Sequence, residues 1–261
     1  MAYYPILKSP DTSGWVTLCN FSPNSWEHAA TEELTINVTW SEKKFWISKN
    51  IGILAPDALR TISIKDLPDV AHVESLLLLS LSHVPLPEKS DLLPKIDFSK
   101  TRTPEWRATL GLSTLHAQTS YQGELDPFPS QGSLLTFGPF LQFGNRIKND
   151  LILLNIEQSP LIRISELEIY NSATQELKGV VNVHTNKANF IELDKYGFLP
   201  NDLPLFICRG MAGIPLYISR TLDGEYLSME HTHPPASMVV HGERWEVQKF
   251  LKNRWFSKVK Q

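Results

Sequence analysis

The densest run of titratable, metal-capable side chains in the chain is Leu227-Ser228-Met229-Glu230-His231-Thr232-His233-Pro234-Pro235. Residues two apart in a strand share a face, so His231 and His233 line up behind Leu227 and Met229. That face turns polar toward the rigid Pro-Pro, which places both imidazoles at the rim of a sheet. Such a pair can chelate one divalent transition metal through nitrogen bonds of about 2.1 Å. A third ligand is then required, and His184, His241, Glu230 and Asp126 are of the right type. Glu230 points to the opposite face. The competing roles are imidazoles hydrogen-bonded at the rim and imidazoles that recognise a ligand or partner.

A second constellation runs from His116 through Gln118, Ser120, Tyr121, Gln122, Gly123, Glu124 and Asp126 to the prolines at 127 and 129. Two carboxylates could do acid–base glycoside chemistry if they converged across a cleft. Neighbours in a proline-bounded loop seldom do. As a binding loop the segment is better suited: Tyr121 supplies an aromatic surface, and His116, Gln122, Glu124 and Asp126 supply hydrogen-bonding groups for a sugar.

The HxH pair is similar to the start of the cupin metal motif. Cupins continue with a glutamate about four residues on, where this chain has Pro234-Pro235-Ala236-Ser237, and the later Gly-Pro-His pattern is missing. The sequence holds no P-loop, no Gly-x-Gly-x-x-Gly after a strand, no Gly-x-Ser-x-Gly elbow and no HExxH, which argues against nucleotide-dependent catalysis. Gly210-Met211-Ala212-Gly213 runs into Ile-Pro and a strand, and reads as a turn.

The elements that would position these residues are short strands. With 261 residues, 42% of them hydrophobic and 20% charged, the chain has the composition of a folded protein of one large or two ordinary domains. A net charge of −3 argues against a general nucleic-acid binder. Cys19 and Cys208 form no CxxC pattern and are expected as reduced cysteines in strands. No basic-then-apolar leader and no apolar run near the ~20 residues of a spanning helix is present, so a cytoplasmic location is expected.

Leu34-Thr35-Ile36-Asn37-Val38-Thr39-Trp40 alternates with period two, and Asp223-Gly224 is a strong hairpin signal. Short strands between turns, without a long 3.6-residue period, predict an all-β protein of two tandem antiparallel sandwiches. This grammar resembles bacterial immunoglobulin-like modules. The expected limits are 1–88 and 131–241, with a linker at 89–130 that holds Pro85, Pro87, Pro94 and Pro104 at or beside it.

The halves also match in order, which suggests an internal duplication. Thr17–Phe21 answers Leu153–Glu157, Leu34–Val38 answers Leu167–Asn171, and Thr61–Ile64 answers Phe190–Leu193. On this reading Leu79-Ser80-Leu81-Ser82-His83 answers Leu227–His231. The tail, 242–261, carries six Lys/Arg against two Glu. Its residues 247, 250, 251, 255 and 259 share a face, which predicts a basic amphipathic helix that covers a sheet or docks to a partner or an anionic membrane.

The function expected from these features is non-catalytic: a binding or accessory protein for a carbohydrate or a protein partner, acting at the domain junction and the His231/His233 rim. The alternatives are a mononuclear metalloenzyme built on those histidines and a docking protein that acts through 242–261.

Overall fold

The computed structural model describes residues 3–9, 11–21, 30–96, 109–139, 141–231, 250 and 252–259; residues 232–249, His233 among them, therefore lie outside the described residues. The described chain is mostly β, in several antiparallel sheets, none closed into a barrel, with one short helix. It divides into two compact units, Met1–Asp126 with Gln158–Leu161, and Pro127–Glu157 with Ile162–Gln261.

In the first unit the strands are β1 (Tyr4–Ile6), β2 (Lys8–Ser9), β3 (Thr12–Cys19), β4 (Leu34–Glu42) and β5 (Phe45–Leu54). They continue with β6 (Leu59–Ser63), β7 (Leu77–Ser82), β8 (Lys89–Ser90), β9 (Thr109–Ser113) and β10 (Gln118–Gln122). One sheet has the order β1-β7-β4-β5-β8. The other runs β10-β9-β3, with β2 and β6 both paired to β3. The stretch expected as linker therefore supplies β8, β9 and β10, and the first unit extends well past residue 88. The physical reason is burial: Leu110 and Leu112 of β9 are fully enclosed.

β4 shows the expected alternation and something more. Leu34, Ile36, Val38 and Trp40 are buried, and so are the intervening Thr35, Asn37, Thr39 and Ser41. A buried polar group is tolerated when it is hydrogen-bonded. Asn37 Nδ2 donates to Ser82 Oγ (2.8 Å), its Oδ1 accepts from Leu86 N–H (3.2 Å), and the Thr39 and Ser48 hydroxyls bond at 2.9 Å. β4 is thus a central strand with a polar interior on its second face.

In the second unit the strands are β11 (Leu134–Phe137), β12 (Ile147–Leu154), β13 (Ile164–Asn171) and β14 (Leu177–His184). They are followed by β15 (Ala188–Glu192), β16 (Pro204–Cys208), β17 (Ile214–Thr221) and β18 (Leu227–His231). The sheets are β11-β16-β13-β14 and β15-β12-β17-β18. Both contribute to one core, with Leu134, Leu167, Ile169, Phe206 and Cys208 from the first and Leu151, Leu153, Ile191 and Tyr217 from the second. The pairing of β13 with β14 shifts register at Ile169/Tyr170. Both cysteines are free and lie in strands, Cys208 buried and Cys19 half-buried, and burial pushes both thiols up.

Residue 250 and residues 252–258 are helical. Trp255, Phe256 and Val259 pack with Phe137 on Leu135, Tyr170, Leu205 and Ile207, the face of β11, β13 and β16 turned away from the core. Of the face expected from spacing, Trp255 and Val259 are packed, whereas Phe250 is 66% exposed and Phe256 takes part instead. Lys252 Nζ donates to the Ser133 carbonyl at 2.6 Å, and Arg209 lies 4.7 Å above the Phe256 ring. No described helix is long and apolar enough to cross a membrane.

Candidate functional site

Among the described residues of the second unit, Gln142, Ile147, Ser219, Thr221 and Tyr226 line a cleft of about 350 Å³. It is assembled from the start of β12, the end of β17 and the turn into β18. Asp223-Gly224 makes that turn, with Gly224 at φ 74°, a backbone region that costs glycine nothing. The Tyr226 N–H donates to Thr221 Oγ1 (3.0 Å), the Thr221 N–H to the Tyr226 carbonyl (3.2 Å), and the Thr221 hydroxyl to Asp223. This last bond, with the Glu225 N–H, holds the Asp223 carboxyl below its ordinary range. The hairpin thus fixes the position of Tyr226 while its side chain remains 52% exposed.

The floor is equally fixed. Ser219 Oγ donates to Asn149 Oδ1 (2.7 Å), and the fully buried Asn149 donates through Nδ2 to the Gln142 carbonyl (2.8 Å). Asp194 accepts weakly from the Asn149 N–H (3.4 Å), and burial raises its carboxyl above the usual range. On the opposite face of β12 and β17, Asp150 and Arg220 form an ion pair with side chains 2% and 6% exposed. The cleft lining itself carries no formal charge. It offers hydroxyls, an amide and an open aromatic ring, which is chemistry for holding a ligand rather than for transferring a proton.

In the first unit a groove of about 400 Å³ is walled by Glu42, Lys43, Lys44, Phe45, Ile47 and Lys89 at the β4–β5 turn. Lys89 Nζ sits 3.6 Å over the Phe45 ring and occupies the one aromatic face the groove could present.

The residues singled out from sequence are only partly brought together. Tyr121, Gln122 and Glu124 lie at one end of edge strand β10, Tyr121 opposite Leu110 and Gln122 opposite Thr109. The Tyr121 ring lies against Gly123, where an added Cβ would sit about 2.1 Å from it. Burial, with Glu124 adding to it, pushes the phenol up to about 12. One ring face is therefore closed, and Tyr121 makes a poorer stacking platform than expected. Asp126 is exposed, and Leu125 between the two acids is buried and bonded to Tyr3. His116 is exposed in the turn at the other end of β10, its N–H held by Thr114 Oγ1 (3.3 Å). Six residues of extended chain, about 20 Å, separate it from Gln122.

His231 ends β18, opposite Leu216. His184 ends β14, and its backbone N–H and carbonyl are both held by the Asn189 side chain on β15 (2.7 and 2.9 Å). β15 and β18 are opposite edges of one sheet, with β12 and β17 between them. Three strand spacings amount to about 14 Å between the backbones of those two edges. No group of three or more His, Cys, Asp or Glu that could hold a metal occurs among the described residues.

His83 follows β7, which lies between β1 and β4, and bonds Glu32 at 3.0 Å. β18, by contrast, is an outer strand beyond β17, so the two Leu-Ser-x-x-His strands occupy different places and His83 is not the counterpart of His231.

Sequence reading missed Gln142, Ile147, Ser219, Thr221 and Tyr226. The Asp-Gly turn could have placed Thr221 beside Tyr226; nothing local pointed to Gln142 or Ile147. No protein-family model matches the chain, and it has no significant match to a curated protein or a solved structure.

Proposed function

We propose that the protein is a non-catalytic binding module for a neutral polyhydroxylated ligand of the carbohydrate class, seated in the cleft of Gln142, Ser219, Thr221 and Tyr226. The observation that carries this reading is the exposed Tyr226 ring, held by its own hairpin beside uncharged hydrogen-bonding groups that are themselves fixed. A sugar presents an apolar C–H face and a rim of hydroxyls, and it is matched by an aromatic surface with a few oriented polar groups. The cleft falls within the about 300–1,000 Å³ of small-ligand sites. A glycan array of neutral oligosaccharides tests the reading directly. Retention of one structural class on the full chain is expected, and a blank array, or retention of anionic glycans only, speaks against it.

The same proposal includes an origin by duplication of an immunoglobulin-like sandwich. Its support is a shared plan of neighbours: β3 pairs with β6 and β9 as β12 pairs with β15 and β17, and β7 lies between β1 and β4 as β16 lies between β11 and β13. Among the described residues, the four non-glycine residues with positive φ fall into two pairs: Lys43 and Gln175 in the turns after β4 and β13, and Asp57 and Asn186 just before β6 and β15. Asn20 and Asn155 follow β3 and β12 and donate backbone N–H to Ala58 and Lys187, each one residue before the paired strand. On this plan His231 corresponds to Gln122. The first strand of each unit pairs with the sheet that in an immunoglobulin domain holds the last strand.

A further inference from the structure

The groove in the first unit is a poor seat for a sugar ring and a good one for an anion. Its walls carry three ammonium groups, those of Lys43, Lys44 and Lys89, against the single carboxylate of Glu42. That carboxylate accepts from Trp40 Nε1 at 3.4 Å. Other exposed lysines meet carboxylates, Lys49 with Asp69 and Lys195 with Glu192. Among the described residues, Lys43, Lys44 and Lys89 have no carboxylate partner.

The backbone brings these charges to one place. β4 and β5 close on each other at Glu42 and Phe45, which leaves Lys43-Lys44 as a two-residue turn. Lys43 stands there at φ 54°, where glycine or asparagine is the ordinary occupant. Residues held this way cluster at ligand-binding sites and switches. β8 sets Lys89 opposite Ile47, and the Phe45 ring holds its ammonium 3.6 Å from the ring centre.

We infer that this groove binds a small phosphate monoester, its dianion among Lys43, Lys44 and Lys89 and its organic part against Ile47 and the edge of Phe45. The volume of about 400 Å³ exceeds what an inorganic anion fills and suits a small organic ligand. No arginine lines the groove. A planar carboxylate is best matched by a guanidinium fork, whereas ammonium groups act as point charges that surround a tetrahedral anion from several sides. The site lies in the first unit and is independent of the carbohydrate cleft in the second.

Calorimetric titration of the full chain with phenyl phosphate, at neutral pH and low salt, tests the inference. Saturable binding is expected, and it weakens as salt is raised. Phenyl sulfate, a monoanion of the same shape, and inorganic phosphate, which lacks the ring, are each expected to bind less tightly. Lys44→Gln or Lys89→Gln is expected to lower affinity by about tenfold, the loss of one hydrogen bond to a charged group. The triple change of Lys43, Lys44 and Lys89 to Gln is expected to abolish binding, and Lys65→Gln, outside the groove, to leave it unchanged. All four lysines are exposed, so these changes remove no buried contact. Vesicles of phosphatidylcholine with and without phosphatidate identify the source of the phosphate. Sedimentation with phosphatidate that the triple variant loses assigns a lipid headgroup, and its absence assigns a soluble ester. No binding of phenyl phosphate overturns the inference, as does binding that the triple variant retains. Equal affinity for phenyl sulfate or inorganic phosphate, or an equal loss in Lys65→Gln, overturns it as well.

Discussion

At the scale of single residues the second unit separates stabilising charge from binding chemistry. Asp150 and Arg220 are buried together, and removing one partner strands the other in a poor solvent. Arg220→Met or Asp150→Leu alone is expected to cost about 3–5 kcal/mol, whereas the double change to apolar residues is expected to cost far less. Urea unfolding of the three variants checks this. Lys252 is a second case: burial lowers its ammonium to about 8. An unfolded lysine titrates near ~10.4, so between these values the unfolded chain holds more protons and stability rises with pH. Below about 8 both states are protonated and the full penalty of burying the charge applies. The difference in urea midpoint between wild type and Lys252→Met is expected to shrink as pH rises through that window. A constant difference would show that Lys252 is not desolvated. None of this was legible beforehand, because partners such as Asp150 and Arg220 are 70 positions apart.

At the scale of elements, period and turn chemistry carried far. The alternation of β4 and the Asp223-Gly224 hairpin follow from local rules. The misplacement of β9 and β10 has a physical cause as well: prolines upstream mark a break in regular structure, but they do not say to which sheet the next strand returns. The tail helix was legible as amphipathic, while its packed face was shifted, since Phe256 rather than Phe250 finds the apolar surface. Trp255 lies edge-on to Phe137 at 5.4 Å, so the helix is held by aromatic contact. Trp255→Ala and Phe256→Ala together are expected to release it, expose Leu205 and Ile207, and raise binding of an apolar dye while the β signal in circular dichroism persists. Unchanged dye binding would mean that the helix contributes no cover.

At the scale of the molecule, the antiparallel β character was visible in sequence, whereas the two Leu-Ser-x-x-His strands that were likened to each other occupy different places in their sheets. Leu-Ser-x-x-His is a β pattern that many strands satisfy, and only pairing partners distinguish β7 from β18. The same limit explains the site. The most chemically conspicuous residues, His184 and His231, stand at separated edges, while the cleft is made of unremarkable Gln, Ser, Thr and Tyr that only tertiary structure gathers. The account therefore stands on Tyr226. The most direct test is calorimetric titration of the wild type, Tyr226→Phe and Tyr226→Ala with the neutral glycan retained on the array. The account predicts near-native affinity for the phenylalanine variant and a loss of about tenfold or more for the alanine variant, as for an aromatic anchor. Equal affinity in all three proteins would contradict it.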